Sequence, residues 1–255
     1  PKTPKPRSQE FGYNYYKKHN IMESKPQEEP AAAKHENLKE GDKDVAEEIE
    51  IVESKFIKNE ASPFLNNDRD WDNKEHFSIP DDIKDNLMTM GFKKPSRIQA
   101  ATIPLITTEP FKSIIAQAAA GSGKTGAFGI SSILRIDRNE PKTQVLVMVN
   151  TRELCNQIHA VYDKIIKGTG ITLANFASDD KKPQQIVITV HGVLGNMLEG
   201  RKGMDLSKIK CVVIDEADVF FNDDKNFEYV KKLHNYKHIK DAQPQWILFS
   251  ATYPA

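Results

Sequence analysis

From about residue 80 onward the sequence predicts an α/β fold, a mostly parallel, doubly wound sheet with helices on both faces. Two observations carry that prediction. Short apolar runs recur as SIIAQA (113–118), QVLVMV (144–149), ITLANFA (171–177), QIVITV (185–190), CVVID (211–215) and QWILFS (245–250). They are continuously apolar rather than alternating, as strands buried on both faces are. Between them lie stretches of helical period, an alternation that lays helices over a parallel sheet. In RELCNQIHAVYDKIIKG (152–168), Leu154, Ile158, Val161 and Ile165 fall on one face. With 255 residues, 38% of them hydrophobic, the chain can bury such a core, and a wholly disordered chain is excluded.

Residues 1–60 read differently. They begin basic, with Lys2, Lys5 and Arg7, and continue through EEPAAAKHENLKEGDKDVAEEIEIVE, a composition too poor in apolar surface to offset ordering entropy. A largely disordered extension is expected there, with the folded domain over 61–255. One exception is a short helix at 43–56, where Val45, Ile49, Val52 and Phe56 share a face. Such a helix either docks on the domain or a partner, or forms transiently in a solvated tail. The basic start reads as an import address, an RNA-touching arm or an ordinary solvated terminus.

Charge and composition narrow the function. With 36 Lys plus Arg against 36 Asp plus Glu, the formal net charge is zero, so nucleic acid or anionic lipid must be met by a local patch. No apolar run approaches the roughly 20 residues that span a bilayer, and the N-terminus lacks the apolar core of a secretory signal. A soluble protein of the cytoplasm or nucleus is expected, with no membrane partner. Cys155 and Cys211 are the two cysteines; without a CxxC they are expected to be buried thiols. The chain starts at Pro1 rather than Met, which suggests a processed or trimmed form.

Ligands of open α/β sheets sit beyond the carboxyl ends of the strands, so the residues following each apolar run matter most. After SIIAQA comes AAGSGKTGAF, in which Ala120, Gly121, Ser122, Gly123, Lys124 and Thr125 lie between a strand and a helix. This is the context of a phosphate-binding loop. Glycines let backbone N–H groups converge on phosphate oxygens, the helix N-terminus adds partial positive charge, Lys124 reaches the β and γ phosphates, and Thr125 ligates Mg²⁺. The first glycine of G-x-x-x-x-G-K-T is replaced by Ala118. At the end of CVVID, Asp215 and Glu216 are carboxylates whose burial is costly unless a metal or water network satisfies them. Asp215 suits the Mg²⁺ of a bound nucleotide, and Glu216 suits the water that attacks the γ phosphate.

Asp215-Glu216-Ala217-Asp218 then spells the signature of the DEAD-box RNA helicases, and the chain resembles the first RecA-like lobe of that family, a P-loop NTPase lobe. The A-x-x-G-x-G-K-T loop is a helicase-type spelling. Gly91-Phe92-Lys93-Lys94-Pro95-Ser96-Arg97-Ile98-Gln99 is similar to the Q motif, which implies that Gln99 reads the adenine edge, that Phe92 joins the nucleotide site, and that an upstream aromatic stacks on the base. Trp71 is the candidate for that aromatic, with Phe77 second. Ser250-Ala251-Thr252 matches the motif that links the nucleotide site to RNA through Asp218. Thr151-Arg152-Glu153-Leu154 matches a motif that holds RNA phosphates. Together these motifs cover the chain from about residue 71 to its end. The Q-to-P-loop segment, with Glu109-Pro110, and Ser62-Pro63-Phe64-Leu65 are most similar to the mRNA-export helicases of the nuclear pore. The resemblance implies an ATP-dependent RNA helicase acting on single-stranded RNA, with ATP and Mg²⁺ as cofactors and nuclear-pore or mRNA-export factors as partners.

The RNA-facing motifs depart from the family pattern. Asn150 stands where proline is usual, and Cys155 where alanine is. The glycine-bearing motif after ITLANFA is replaced by SDDKKPQQ, whose Asp179 and Asp180 would repel a phosphate backbone. The usual T-P-G appears as Val190-His191-Gly192, with Thr189 one position early; Gly192 is carried over as an RNA contact, and His191 is either a phosphate contact or a surface histidine. The family's second lobe, with its transition-state arginines, does not follow Thr252, so this chain by itself is expected to bind nucleotide and hydrolyse it very slowly. Intact ATP motifs beside altered RNA motifs also fit a second function, a degenerate helicase lobe serving as a nucleotide-binding scaffold.

Overall fold

The computed structural model describes residues 70–74, 77–177, 184–199 and 204–252. The expected extension over 1–60, the helix at 43–56, and Asp179 with Asp180 lie outside the described residues. The fold begins with helices α1 (Asp81–Thr89) and α2 (Arg97–Thr107) and continues β1 (Ile114–Gln117), α3 (Lys124–Ile133), β2 (Val145–Val149), α4 (Arg152–Ile166), β3 (Leu173–Asn175) and β4 (Ile186–Val190). It is completed by α5 (His191–Glu199), β5 (Cys211–Asp215), α6 (Ala217–Asn222), α7 (Asp224–Asn235), α8 (Lys237–Ala242) and β6 (Gln245–Ser250).

All six expected apolar runs are strands of one sheet, ordered β1-β6-β5-β2-β4-β3, and every pairing is parallel. Successive residues of β2 feed opposite faces. Val145, Val147 and Val149 join Ile98, Phe128 and Tyr162 in one core. Leu146 and Met148 join Phe220, Phe227 and Leu233 in the other. That division explains why β2, β4 and β5 show no polar alternation: both of their faces lie under helices. The two edge strands depart from this rule. In β1, Ile115 is exposed, because with β6 on one side alone the outer margin has no cover. β3 is trimmed to Leu173–Asn175.

Helix α4 forms over the expected stretch, but of the four face residues Ile158 and Ile165 are buried while Leu154 and Val161 are half-buried, and Cys155 and Tyr162 fill the core beside them. Thr151 caps it, its hydroxyl oxygen accepting the Leu154 N–H at 3.1 Å. Both cysteines are free and buried, as expected. Desolvation pushes each thiol up to about 11, away from the reactive range.

The register aligns the carboxyl ends of neighbouring strands. Gln117 of β1 lies opposite Ser250 of β6, Asp215 of β5 opposite Phe249 of β6, and Val149 of β2 opposite Val190 of β4. The chain order thereby becomes a spatial one. Loops following β1, β6 and β5 share one end of the sheet, and those following β2 and β4 lie beside them.

Candidate nucleotide and RNA site

The loop after β1 turns through Gly121, at φ +82°, and Gly123, at φ +97°, a left-handed backbone that favours glycine. The chain then enters α3 at Lys124. Its ammonium donates to the carbonyls of Ala118 and Ala119 at 2.6 and 2.8 Å, so the cation lies folded over the loop it is meant to serve. Ala120 is exposed at the loop's crest. Ser122 is 4% exposed, and its hydroxyl oxygen has no protein partner. Thr125 stands half-buried in the first turn of α3.

Across β6, Asp215 ends β5 with 5% of its surface exposed. Burial pushes its carboxyl up to about 6, opposed by the Glu216 N–H it accepts and by the charge of Lys124. That N–H lies 3.0 Å from Oδ1. Glu216 is exposed and adopts a left-handed conformation at φ 53°, a costly geometry for a non-glycine residue that concentrates at functional sites. It turns the chain from the buried strand into α6 and leaves its carboxylate on the open side.

One turn on, Asp218 binds the end of β6. Its carboxylate accepts the hydroxyls of Ser250 and Thr252, each at 2.5 Å. Burial would raise this carboxyl, but the two hydroxyls hold it below the usual range. The contact expected between Asp218 and the Ser250-Ala251-Thr252 triplet is present. Among the described residues no cluster of three or more His, Cys, Asp or Glu side chains gathers. A divalent ion would rest on Thr125 and Asp215, with nucleotide oxygens and water completing its shell. A buried carboxylate that accepts the Glu216 N–H fits such a group, as does the buried, unpartnered hydroxyl of Ser122 in the loop.

The segment before α2 closes over the same loop. Gln99 is 4% exposed; its Oε1 accepts the Ser96 N–H at 3.0 Å, and its Nε2 donates to the Gly123 carbonyl at 3.1 Å. Phe92 is half-buried beside it. Trp71 requires a correction. Its ring is 2% exposed, packed 5.3 Å from Phe77, with its indole N–H donating to the Phe92 carbonyl at 2.7 Å. Phe77 is equally buried. Neither ring offers a face for a base to stack on; Trp71 instead fixes the backbone of Phe92.

On the neighbouring side, Thr151 and Arg152 begin α4, both exposed, and Gly192 stands in the first turn of α5 with open space where a side chain would be. The pairing of β2 with β4 sets these two helix N-termini side by side, the arrangement that receives phosphates. His191 is half-buried. It packs between Phe220 and Tyr229, at centroid distances of 5.7 and 4.9 Å, with Nδ1 buried and unpartnered. Sequence reading missed the glycines that permit these contacts. A Cβ at Gly195 would meet Tyr229 at 2.7 Å, and one at Gly126 would meet Gln99 at 2.5 Å.

Comparison with known proteins gives a consistent picture. A family model described as DEAD/DEAH box helicase matches residues 96–255. The ATP-dependent RNA helicase dbp5 of Schizosaccharomyces pombe is 31% identical over 185 residues, which is 70% of this chain and 36% of that protein. Among solved structures, S. cerevisiae Dbp5 bound to RNA and ADP BeF3 is similar with a TM-score of 0.62 and 30% identity, covering 69% of this chain and 46% of that one. A Dbp5 variant bound to Nup159, a Gle1 variant, IP6 and ADP is similar with a TM-score of 0.61 and 30% identity, covering 69% and 48%. The chain thus spans less than half the length of each of these relatives.

Proposed function

We propose, for a chain that belongs to the DEAD/DEAH box helicase family, that it is the N-terminal, ATP-binding lobe of an RNA-dependent ATPase acting on single-stranded RNA. The observation that carries this reading is the convergence, at the carboxyl ends of β1, β6 and β5, of the glycine loop, the Ser250–Asp218–Thr252 link and the Asp215-Glu216 pair.

In this reading the phosphates lie over the loop and the N-terminus of α3, and Lys124 exchanges the carbonyls of Ala118 and Ala119 for the β and γ oxygens. Thr125 and Asp215 hold Mg²⁺, which when bound neutralises charge on the phosphates. Glu216, on the open side, orients the attacking water and takes its proton. Gln99 faces adenine, and Phe92 lines the base site. Asp218, tied to both hydroxyls at the end of β6, makes the nucleotide end of β5 move with Ser250 and Thr252.

RNA phosphates are met by Arg152, by Gly192 with its neighbouring backbone, and by Thr151, whose oxygen already accepts from Leu154 and whose O–H remains to donate. Binding is sequence-independent and salt-sensitive. Without an arginine supplied by a second lobe, turnover is lower by roughly 10³–10⁵, so the chain alone binds ATP and hydrolyses it very slowly. Because a similar structure holds RNA and another holds Nup159 and Gle1, export factors at the nuclear pore are the protein partners of this reading, in the cytoplasm or at the pore.

A scaffold role is the second reading, favoured by the departures from the family pattern at Asn150, Cys155 and Val190-His191-Gly192. RNA binding by the full-length protein with a non-hydrolysable ATP analogue separates the two. Arg152→Ala should weaken affinity and flatten the salt dependence by about one phosphate contact. Unchanged affinity would remove the RNA site and favour the scaffold.

A further inference from the structure

The first turns of α4 are tied to the end of β3 by a chain of amides whose polarity a backbone group sets. The Ala177 N–H donates to Oδ1 of Asn175 at 2.9 Å, and the Cys155 thiol donates to the same oxygen at 3.1 Å. A backbone N–H is always a donor, so the other end of the Asn175 carboxamide is its N–H₂. That group donates to Oδ1 of Asn156 at 2.7 Å. Turned over, the Asn175 amide would set donor against donor at Ala177, and the Asn156 amide would do the same at Asn175. Asn156 is therefore held with its oxygen inward and its N–H₂ outward, on an exposed residue. No other bond claims that N–H₂ among the described residues.

Position adds to polarity. Asn156 follows Arg152 by four residues, which places both on one face of α4 with Cβ atoms about 6 Å apart. β3 pairs with β4 so that Asn175 lies opposite Ile188, two residues before Val190, where β4 gives way to α5 at His191 and Gly192. The outward amide thus stands at the same end of the sheet as Thr151, Arg152 and Gly192. A phosphate oxygen accepts and cannot donate, which matches the end of the Asn156 amide left open. We propose that Asn156 is a further contact for an RNA phosphate, next along the strand to the one met by Arg152, and that Asn175 is the positioning residue that turns its donors outward. The inference rests on the RNA-binding reading above.

The test is RNA binding by the full-length protein with a non-hydrolysable ATP analogue over a series of salt concentrations, for wild type, Arg152→Ala, Asn156→Ala, Asn175→Asp and the variant carrying the last two together. Asn156→Ala should weaken affinity roughly tenfold with the salt slope unchanged, because a neutral amide releases no counterion, whereas Arg152→Ala should flatten the slope by about one. Asn175→Asp keeps the shape and the acceptor for Ala177 but has no donor, so Asn156 turns over and presents its oxygen to the phosphate. It should weaken binding at least as much as Asn156→Ala. In the double variant the Asp substitution should add less than about twofold, the non-additivity of coupled neighbours; an effect of its added charge alone would persist there in full. Wild-type affinity in Asn156→Ala, or a full additional loss in the double variant, would overturn the inference. A wild-type protein that binds no RNA, or an affinity that Arg152→Ala leaves unchanged, would overturn the underlying reading instead.

Discussion

Asp215 places a carboxylate where burial disfavours its charge. Its carboxyl is raised from 3.8 to about 6, chiefly by desolvation, and at 5% exposure solvent screening offers little relief. At ~1.4 kcal/mol per unit, the ionised form costs the folded chain about 3 kcal/mol. Because the folded value lies above the unfolded one, the associated stability is fully present below about pH 4 and is lost as pH rises through about 6. Asp215→Asn keeps an oxygen to accept the Glu216 N–H and does not titrate. Urea unfolding of both proteins without nucleotide, at a series of pH values, isolates the group, since other carboxylates cancel in the difference. The Asn variant should gain on wild type by about 3 kcal/mol between pH 3 and pH 7, while binding Mg-nucleotide more weakly. A difference that stays flat across that range would refute the reasoning, because Asp215 would then titrate alike in the folded and unfolded chains.

The hydroxyl link to Asp218 should matter to turnover more than to binding. Hydrogen bonds to charged groups contribute ~1.5–3 kcal/mol, so Ser250→Ala or Thr252→Ala in the full-length protein should lower RNA-stimulated turnover roughly tenfold to a hundredfold, with ATP affinity nearly unchanged by calorimetry. Trp71→Phe removes the indole bond to Phe92 and should cost ~1 kcal/mol in urea unfolding; Trp71→Phe that left stability intact would dismiss the bracing role. Tyr162→Phe removes the 2.8 Å contact between its hydroxyl and that of Ser132 inside the core. It should destabilise by ~1–2 kcal/mol without altering nucleotide affinity, and a change in affinity would contradict its assignment to packing alone.

The sheet was legible because burial on both faces leaves an unbroken apolar run, and the runs ending at Val149, Val190, Asp215 and Ser250 end where the strands do. The edge strands blur because solvent on one side relaxes that requirement, as exposed Ile115 shows. Helices α7 and α8, rich in Lys and His, carried no signal strong enough to separate them in advance. At the candidate site, the placement of Lys124, Asp215 and Glu216 just beyond the ends of β1 and β5 was readable from the strand–loop–helix frame. Trp71 was misjudged because an aromatic near a nucleotide motif can stack on the ligand or on the protein, and spacing does not distinguish them. The surroundings of His191 were not legible either: its neighbours Phe220 and Tyr229 come from α6 and α7, and local sequence does not reveal them. Gly126 lay beside a motif, and only the fold brings Gln99 into the space its side chain would fill.

The most direct test of the account is ATP turnover by the full-length protein with and without single-stranded RNA, using Glu216→Gln as the control. The account predicts turnover that RNA stimulates and that the substitution abolishes while ATP binding persists. ATP binding with no stimulation by RNA, or turnover that survives in Glu216→Gln, would contradict it.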